Sequence, residues 1–159
     1  MASVLANTAA LIERCDDLGV PVFYTAQPGR QDPRDRGLQQ EFWGPGMSSA
    51  PEDQHVVAAL APKAHHTVLT KWRYSAFQRS DFEERLRARG RTQLMITGVF
   101  AHIGCLATAV DAFMLDVQPF MIADAVADFT REHHDRALVQ IAACAGVPLS
   151  TADILSSLV

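Results

Sequence analysis

Lys71 closes a strand-like run, Thr67–Lys71 (TVLTK), and is followed at once by Trp72 and Arg73. An ammonium ending an apolar strand is part-desolvated, which is costly unless an anion faces it or the side chain snorkels to the rim. Gln27 stands just past a second such run, Val20–Thr25 (VPVFYT). A third, Gln93–Val99 (QLMITGV), leads into the turn Phe100–Gly104, which opens a helix. Arg36 offers a fork suited to a carboxylate and Trp43 an apolar wall, although an arginine in a loop is often simply solvated.

Other reactive types are weaker signals. Cys105 sits at a helix N-terminus, where a thiol pKa falls and nucleophilic chemistry becomes possible. His133 and His134 are adjacent on one helix and cannot both face one point, while His102 lies in a different turn. Surface and capping roles, and no metal site, are the expectation for all three. Cys15 and Cys144 fall within helical patterns and read as small core residues, and no CxxC spacing suggests zinc or a disulfide framework.

The elements that must carry these residues follow from the apolar periods. Val4, Leu11 and Leu18, with Leu5 and Ile12 beside them, mark one face of a helix that Gly19 ends. Val117–Ala123 (VQPFMIA) and Gly146–Thr151 (GVPLST) add a fourth strand and a short fifth. Phe82 and Leu86 mark a short helix. Ile103, Leu106, Ala107, Val110 and Met114 predict the apolar face of the next. Thr130 caps a third that carries Leu138, Ile141 and Ala142.

Near-continuous apolar strands alternating with amphipathic helices predict an α/β fold: a doubly wound, mostly parallel sheet covered by helices on both faces. Such sheets bind ligands at the carboxyl ends of their strands, where Gln27, Lys71 and the Phe100–Gly104 turn all lie. The stretch Ala26–Pro51 breaks the rhythm. Rich in Gly, Pro, Gln and charge, with at most a short helix around Arg34–Gln40, it reads as a binding loop over that edge.

The 159 residues suit a single domain, residues 1–159, and the 48% apolar and 20% charged balance suits a soluble one. No run is long and apolar enough for a membrane span and the N-terminus does not read as a signal peptide, so a cytoplasmic location is expected. A net charge of −4 argues against nucleic acid as partner. The cluster Arg85, Arg87, Arg89 and Arg91 reads as a solvated helix end.

Taken together, GVFAHIGC (Gly98–Cys105), YTAQPG (Tyr24–Gly29), FWGPGM (Phe42–Met47), KWRYSAF (Lys71–Phe77) and MIADAVADFTREHH (Met121–His134) resemble the isochorismatase family of the cysteine-hydrolase-like superfamily. The resemblance runs through essentially the whole chain. It implies a hydrolase that cleaves the enol-pyruvyl vinyl ether of isochorismate, or of its 2-amino-2-deoxy analogue, to pyruvate and a dihydro-aromatic acid. The setting would be siderophore or phenazine-type metabolism, with no cofactor.

By the same likeness, Lys71 and Gly104 are catalytic positions and Gln27, Arg36, Trp43 and Phe100 contact substrate. Gly104 stands where amidases of the superfamily carry their nucleophilic cysteine. One residue along a helix turns a side chain by about 100°, so Cys105 is expected to point elsewhere and an amidase is the weakest reading. No histidine follows Thr25 where amidase metal ligands would lie. A cis bond is implied at Val99–Phe100. Phe100 replaces a frequent tyrosine, which removes a hydroxyl contact.

The family's general acid is an aspartate ending a strand that precedes this chain's first helix, central in the sheet between the strands ending at Thr25 and Val99. No Asp here follows such a strand; Asp16 and Asp17 end a helix. The expectation is a chain truncated at its N-terminus, inactive by itself or acting as a binding homologue, and self-associating because apolar surface is left uncovered.

Overall fold

A computed structural model describes residues 1–158. Helix α1 (Ala2–Asp17) leads to strand β1 (Phe23–Ala26). Three short helices follow, α2 (Pro33–Arg36), α3 (Leu38–Trp43) and α4 (Pro51–Gln54), and then a 3₁₀ turn at Ala58–Leu60. Strand β2 (Thr67–Thr70), helix α5 (Phe82–Ala88) and strand β3 (Gln93–Val99) come next, and β3 runs into a π-turn, Ala101–Cys105. Helix α6 (Leu106–Met114), strand β4 (Gln118–Ala127), helix α7 (Arg131–Cys144), strand β5 (Val147–Leu149) and helix α8 (Thr151–Ser157) complete the order.

All strand pairs are parallel, and helices cover both faces, as the alternating pattern predicts. The sheet is not continuous. β1 pairs with β2, while β3, β4 and β5 form a separate ladder in that order, so β1 and β3 share no backbone pairing. On one face Ile96 and Met121 pack with Ala109, Ala137 and Ile141 of α6 and α7. On the other, Met95, Phe120 and Ile122 pack with Leu11 of α1 and Ile154 of α8. The alternation of β3 and β4 side chains between these clusters is the period-2 signature of a strand buried on both sides. A third cluster, with Leu69, Phe82, Leu86 and Ala112 at its centre, draws in Phe23 from β1 and Leu94 from β3 and so joins the two sheets through side chains alone.

Several expectations need correction. β4 continues four residues past Ala123, because a register shift between Ile96 and Gly98 lets its partner pair again at Val126 and Ala127. Asp124, in the shifted stretch, accepts from Thr151 N–H and Oγ1–H, both at 2.8 Å, and ties the start of α8 to the sheet. The buried face of α6 is Thr108, Ala109 and Ala112, continued by Cys105 of the π-turn before it, not Val110 and Met114, which are exposed. Small side chains let the helix lie close on the sheet, so the bulky ones face outward. Likewise α7 buries Ala137 and Ile141, with Ala145 just past its end, leaving Ala142 and Cys144 exposed. The loop after β1 holds two helices where one was expected, divided at Gly37, whose φ of +57° suits glycine. Thr130 caps α7 as expected, its Oγ1 accepting from His133 N–H at 3.1 Å. Arg85 and Arg87 pair along α5 with Asp81 and Glu83, which fits a solvated helix end.

Candidate active site

Lys71 is the first residue past β2, its N–H donating to Ala26 of the neighbouring strand at 2.8 Å. That bond aims its side chain across the gap between the sheets at the π-turn after β3. A Cβ added to Gly104 would lie 2.8 Å from Lys71 Nζ, so only glycine admits the ammonium here without displacing it. Burial pushes the Lys71 pKa below its ordinary value. No carboxylate forms an ion pair with it among the described residues.

Arg36 is the second cation. Its side chain is enclosed by the loop after β1, with only 4% of the residue exposed. Nε donates to Gly44 O at 2.6 Å and one terminal nitrogen to Gln31 Oε1 at 3.3 Å. Gly46, at φ +79°, lies against the guanidinium so closely that a Cβ would come within 2.5 Å of it. Arg36 also lacks a carboxylate partner among the described residues. The loop is held over the strand ends by Arg73 and Arg79, which both donate to Asp35 O, at 2.9 and 3.0 Å. Arg79 adds an ion pair to the Asp35 carboxylate at 2.9 Å.

The opposite wall is aromatic. Phe100 and Phe129 stack with centroids 3.9 Å apart, and Trp43 lies 6.5 Å from Phe129 in a near-parallel stack. Trp43 donates its indole N–H to Tyr74 Oη at 2.7 Å. Thr108 braces the floor: it donates to Gly104 O at 2.7 Å and accepts from Ala76 N–H at 3.0 Å, linking the π-turn to the segment after Lys71. The Val99–Phe100 peptide is cis.

These groups enclose one cavity of about 500 Å³. All six sequence-derived site residues line it: Gln27, Arg36, Trp43, Lys71, Phe100 and Gly104. Gln39, Arg73, Tyr74 and Phe129 line it too and were not singled out from sequence. Tyr74 and Arg73 lie within three residues of Lys71, a proximity that could have flagged them. Among the described residues, no carboxyl group lines the cavity.

Cys105 is not part of the lining. It is 5% exposed within the apolar cluster of α6 and α7, and burial pushes its pKa up to about 11 despite the nearby Lys71 ammonium. A thiol held protonated in this way is a core residue.

Two histidine clusters lie elsewhere. Asp16 accepts from His65 and His66 Nε2, each at 2.9 Å, and from Lys63 Nζ at 2.6 Å. Because His66 Nδ1 accepts Lys63 N–H at 3.0 Å, its Nε2 carries the proton, which leaves no lone pair there for a metal. The second cluster joins residues that the sequence reading keeps apart: the His102 and His133 rings stack at 4.3 Å, and His102 bonds Asp128.

The isochorismatase domain model matches residues 1–153. The chain belongs to the isochorismatase family. It is 52% identical over 155 residues to enterobactin synthase component B of Escherichia coli K12, covering 98% of this chain and 54% of that protein. It is 49% identical over 152 residues to the phenazine biosynthesis protein PhzD of Pseudomonas fluorescens, covering 96% of this chain and 73% of that one. The chain thus spans about half the length of the enterobactin relative. A cysteine hydrolase from Pseudomonas syringae pv. phaseolicola 1448A shares the fold, with a TM-score of 0.91 at 22% identity over 99% of this chain and 80% of that one.

Proposed function

We propose that this isochorismatase-family chain binds isochorismate, or its 2-amino-2-deoxy analogue, and serves its hydrolysis to pyruvate and a dihydro-aromatic acid in siderophore or phenazine-type metabolism. The observation that carries the reading is a cavity with two cations, Arg36 buried and Lys71 half-buried, that have no carboxylate partner, facing an aromatic wall. Such a site lacks its counter-charge until an anion enters, and the stacked rings suit a planar, unsaturated ligand. Arg36 is the residue for a carboxylate, Lys71 compensates charge beside Gly104, and Gln27 offers hydrogen bonds at the strand end.

Hydrolysis of the vinyl ether adds a proton to the methylene carbon, and water attacks the resulting oxocarbenium carbon. The hemiketal then collapses with loss of the ring alcohol. Protonating carbon is the difficult step and calls for a placed general acid. With no carboxyl group in the lining, this reading assigns binding and charge compensation to the residues above and the proton to an acid beyond them. The same lining favours a second reading, a non-catalytic binding homologue.

Pyruvate release separates the two. In the protein extended by an upstream in-frame strand ending in Asp, release that Lys71→Ala abolishes supports the enzyme. Release unchanged by Lys71→Ala removes Lys71 from the site, and the lack of any such upstream strand favours the binding reading. Self-association is part of the proposal: Leu38, Phe42, Phe113 and Met114 are each more than half exposed. Light scattering that shows one monomeric species across concentrations would contradict it. A dianionic intermediate does not cross membranes unaided, so a cytoplasmic location is proposed as well. Among the described residues no helix is long and apolar enough to cross a membrane.

A further inference from the structure

We infer that Asp128 is a positioning residue which, with His102, clamps the Phe100–Gly104 turn to Phe129 and so sets the aromatic wall of the cavity. The last backbone pair between β3 and β4 is Val99–Ala127. Beyond it the two strands have no ladder to hold them together, yet Phe100, the next residue on one side, and Phe129, two residues past the pair on the other, must meet at 3.9 Å to form the wall.

Asp128 bridges that point. Its side chain is wholly buried. It accepts His102 N–H at 2.7 Å, the His102 Nδ1 group at 2.7 and 2.8 Å, and Phe129 N–H at 2.8 Å. Two of these donors belong to the turn and one to the strand end, so a single carboxylate extends the sheet by one step. Burial pushes this carboxyl upward, but the donors outweigh it and hold it below the ordinary carboxylate range. Because the carboxylate accepts at His102 Nδ1, the imidazole is fixed with its proton there. Neither Asp128 nor His102 lines the cavity, and each acts through the residues that do.

The inference rests on the cavity being the substrate site, so the test has one arm that needs no ligand. Amide hydrogen exchange is compared in the wild type, Asp128→Asn, His102→Ala and His102→Asn; the last keeps an N–H donor near the Nδ1 position. Losing an accepted hydrogen bond at a charged group is expected to speed exchange at His102 and Phe129 about tenfold in Asp128→Asn and His102→Ala. The α6 and α7 core should be unchanged and His102→Asn close to wild type. Exchange unchanged at the turn, or raised equally throughout the protein, overturns the clamp. If Asp128→Asn does not fold, the two His102 variants decide.

The second arm titrates isochorismate by tryptophan fluorescence. Affinity is expected to fall about tenfold in Asp128→Asn and His102→Ala and to recover in His102→Asn, with Lys71→Met as the control that loses binding. Wild-type affinity in Asp128→Asn overturns the positioning role whatever the exchange shows. If the wild type binds no isochorismate, the functional reading fails while exchange still judges the clamp.

Discussion

The two sides of the cavity are built differently. Apart from Trp43, which reaches over from α3, the aromatic side rests on β3–β4–β5, where Met121, Ile122 and Val126 of β4 are almost wholly buried and both faces are covered by helices. The cationic side rests on β1 and β2, four residues each, with Leu69 the one residue of these strands that is fully buried and Val68 53% exposed. Apolar walls gain from burial and come with a thick core. The cations, without carboxylate partners, sit on a thin ledge joined to the core by one side-chain cluster and by Thr108. Shape is specified on one side and charge on the other.

The greatest loss of stability is expected on the β3–β4–β5 side. Met121→Ala leaves a cavity in a fully buried site and is expected to cost ~2–5 kcal/mol, read from a denaturant midpoint. Val68→Ala on the ledge is expected to stay within about 0.5 kcal/mol. Equal losses would show that the ledge is as tightly built as the core.

On the ledge, the informative substitution is Lys71→Met. Burial lowers the Lys71 pKa in the folded chain, so the unfolded state binds more protons in the window below the ordinary lysine value. Stability therefore rises with pH through that window, and at neutral pH the ammonium is a net cost. Lys71→Met is expected to raise the melting temperature, to flatten that pH dependence and to lose anion binding. A bound anion favours the charged form, so wild-type affinity should be greatest at neutral pH and decline as pH rises through the lowered pKa. A drop in melting temperature for Lys71→Met would mean that the ammonium is already paired.

Gly104→Ala carries a smaller expected change. Its new Cβ crowds the flexible tip of Lys71 and meets the Tyr74 carbonyl oxygen only at an ordinary contact distance of 3.4 Å, so the fold should survive and the ammonium should be displaced. Affinity for isochorismate is expected to fall, with a denaturant midpoint close to wild type. Unchanged affinity would separate Gly104 from Lys71 in function.

What the sequence made legible follows the same division. The limits of β3, the Thr130 cap and the convergence of Gln27, Lys71 and Gly104 at strand ends could all be read, because each rests on local chemistry or on the polarity of a parallel sheet. The outward face of α6 could not: ranking by apolar bulk selects Val110 and Met114, whereas close packing on the sheet selects Ala109 and Ala112. Nor could the His102–Asp128–His133 and Asp16–His65–His66 clusters, whose members are brought together only by tertiary contact. Gln39 and Phe129 escaped because nothing in their own spacing marks a cavity wall, whereas Arg73 and Tyr74 adjoin Lys71 and could have been read from it. The break between β1 and β3 escaped as well, because the apolar pattern alone does not mark which strands pair.

On the proposed reading Arg36, buried, and Lys71, half-buried, lack carboxylate partners so that they can hold an anion against the aromatic wall. Calorimetric titration of isochorismate into the wild type, Arg36→Met and Lys71→Met tests it most directly. The account predicts one site per chain in the wild type and at least tenfold weaker binding in each variant, the least expected when a charge-assisted hydrogen bond is lost. Wild-type affinity in both variants would contradict it.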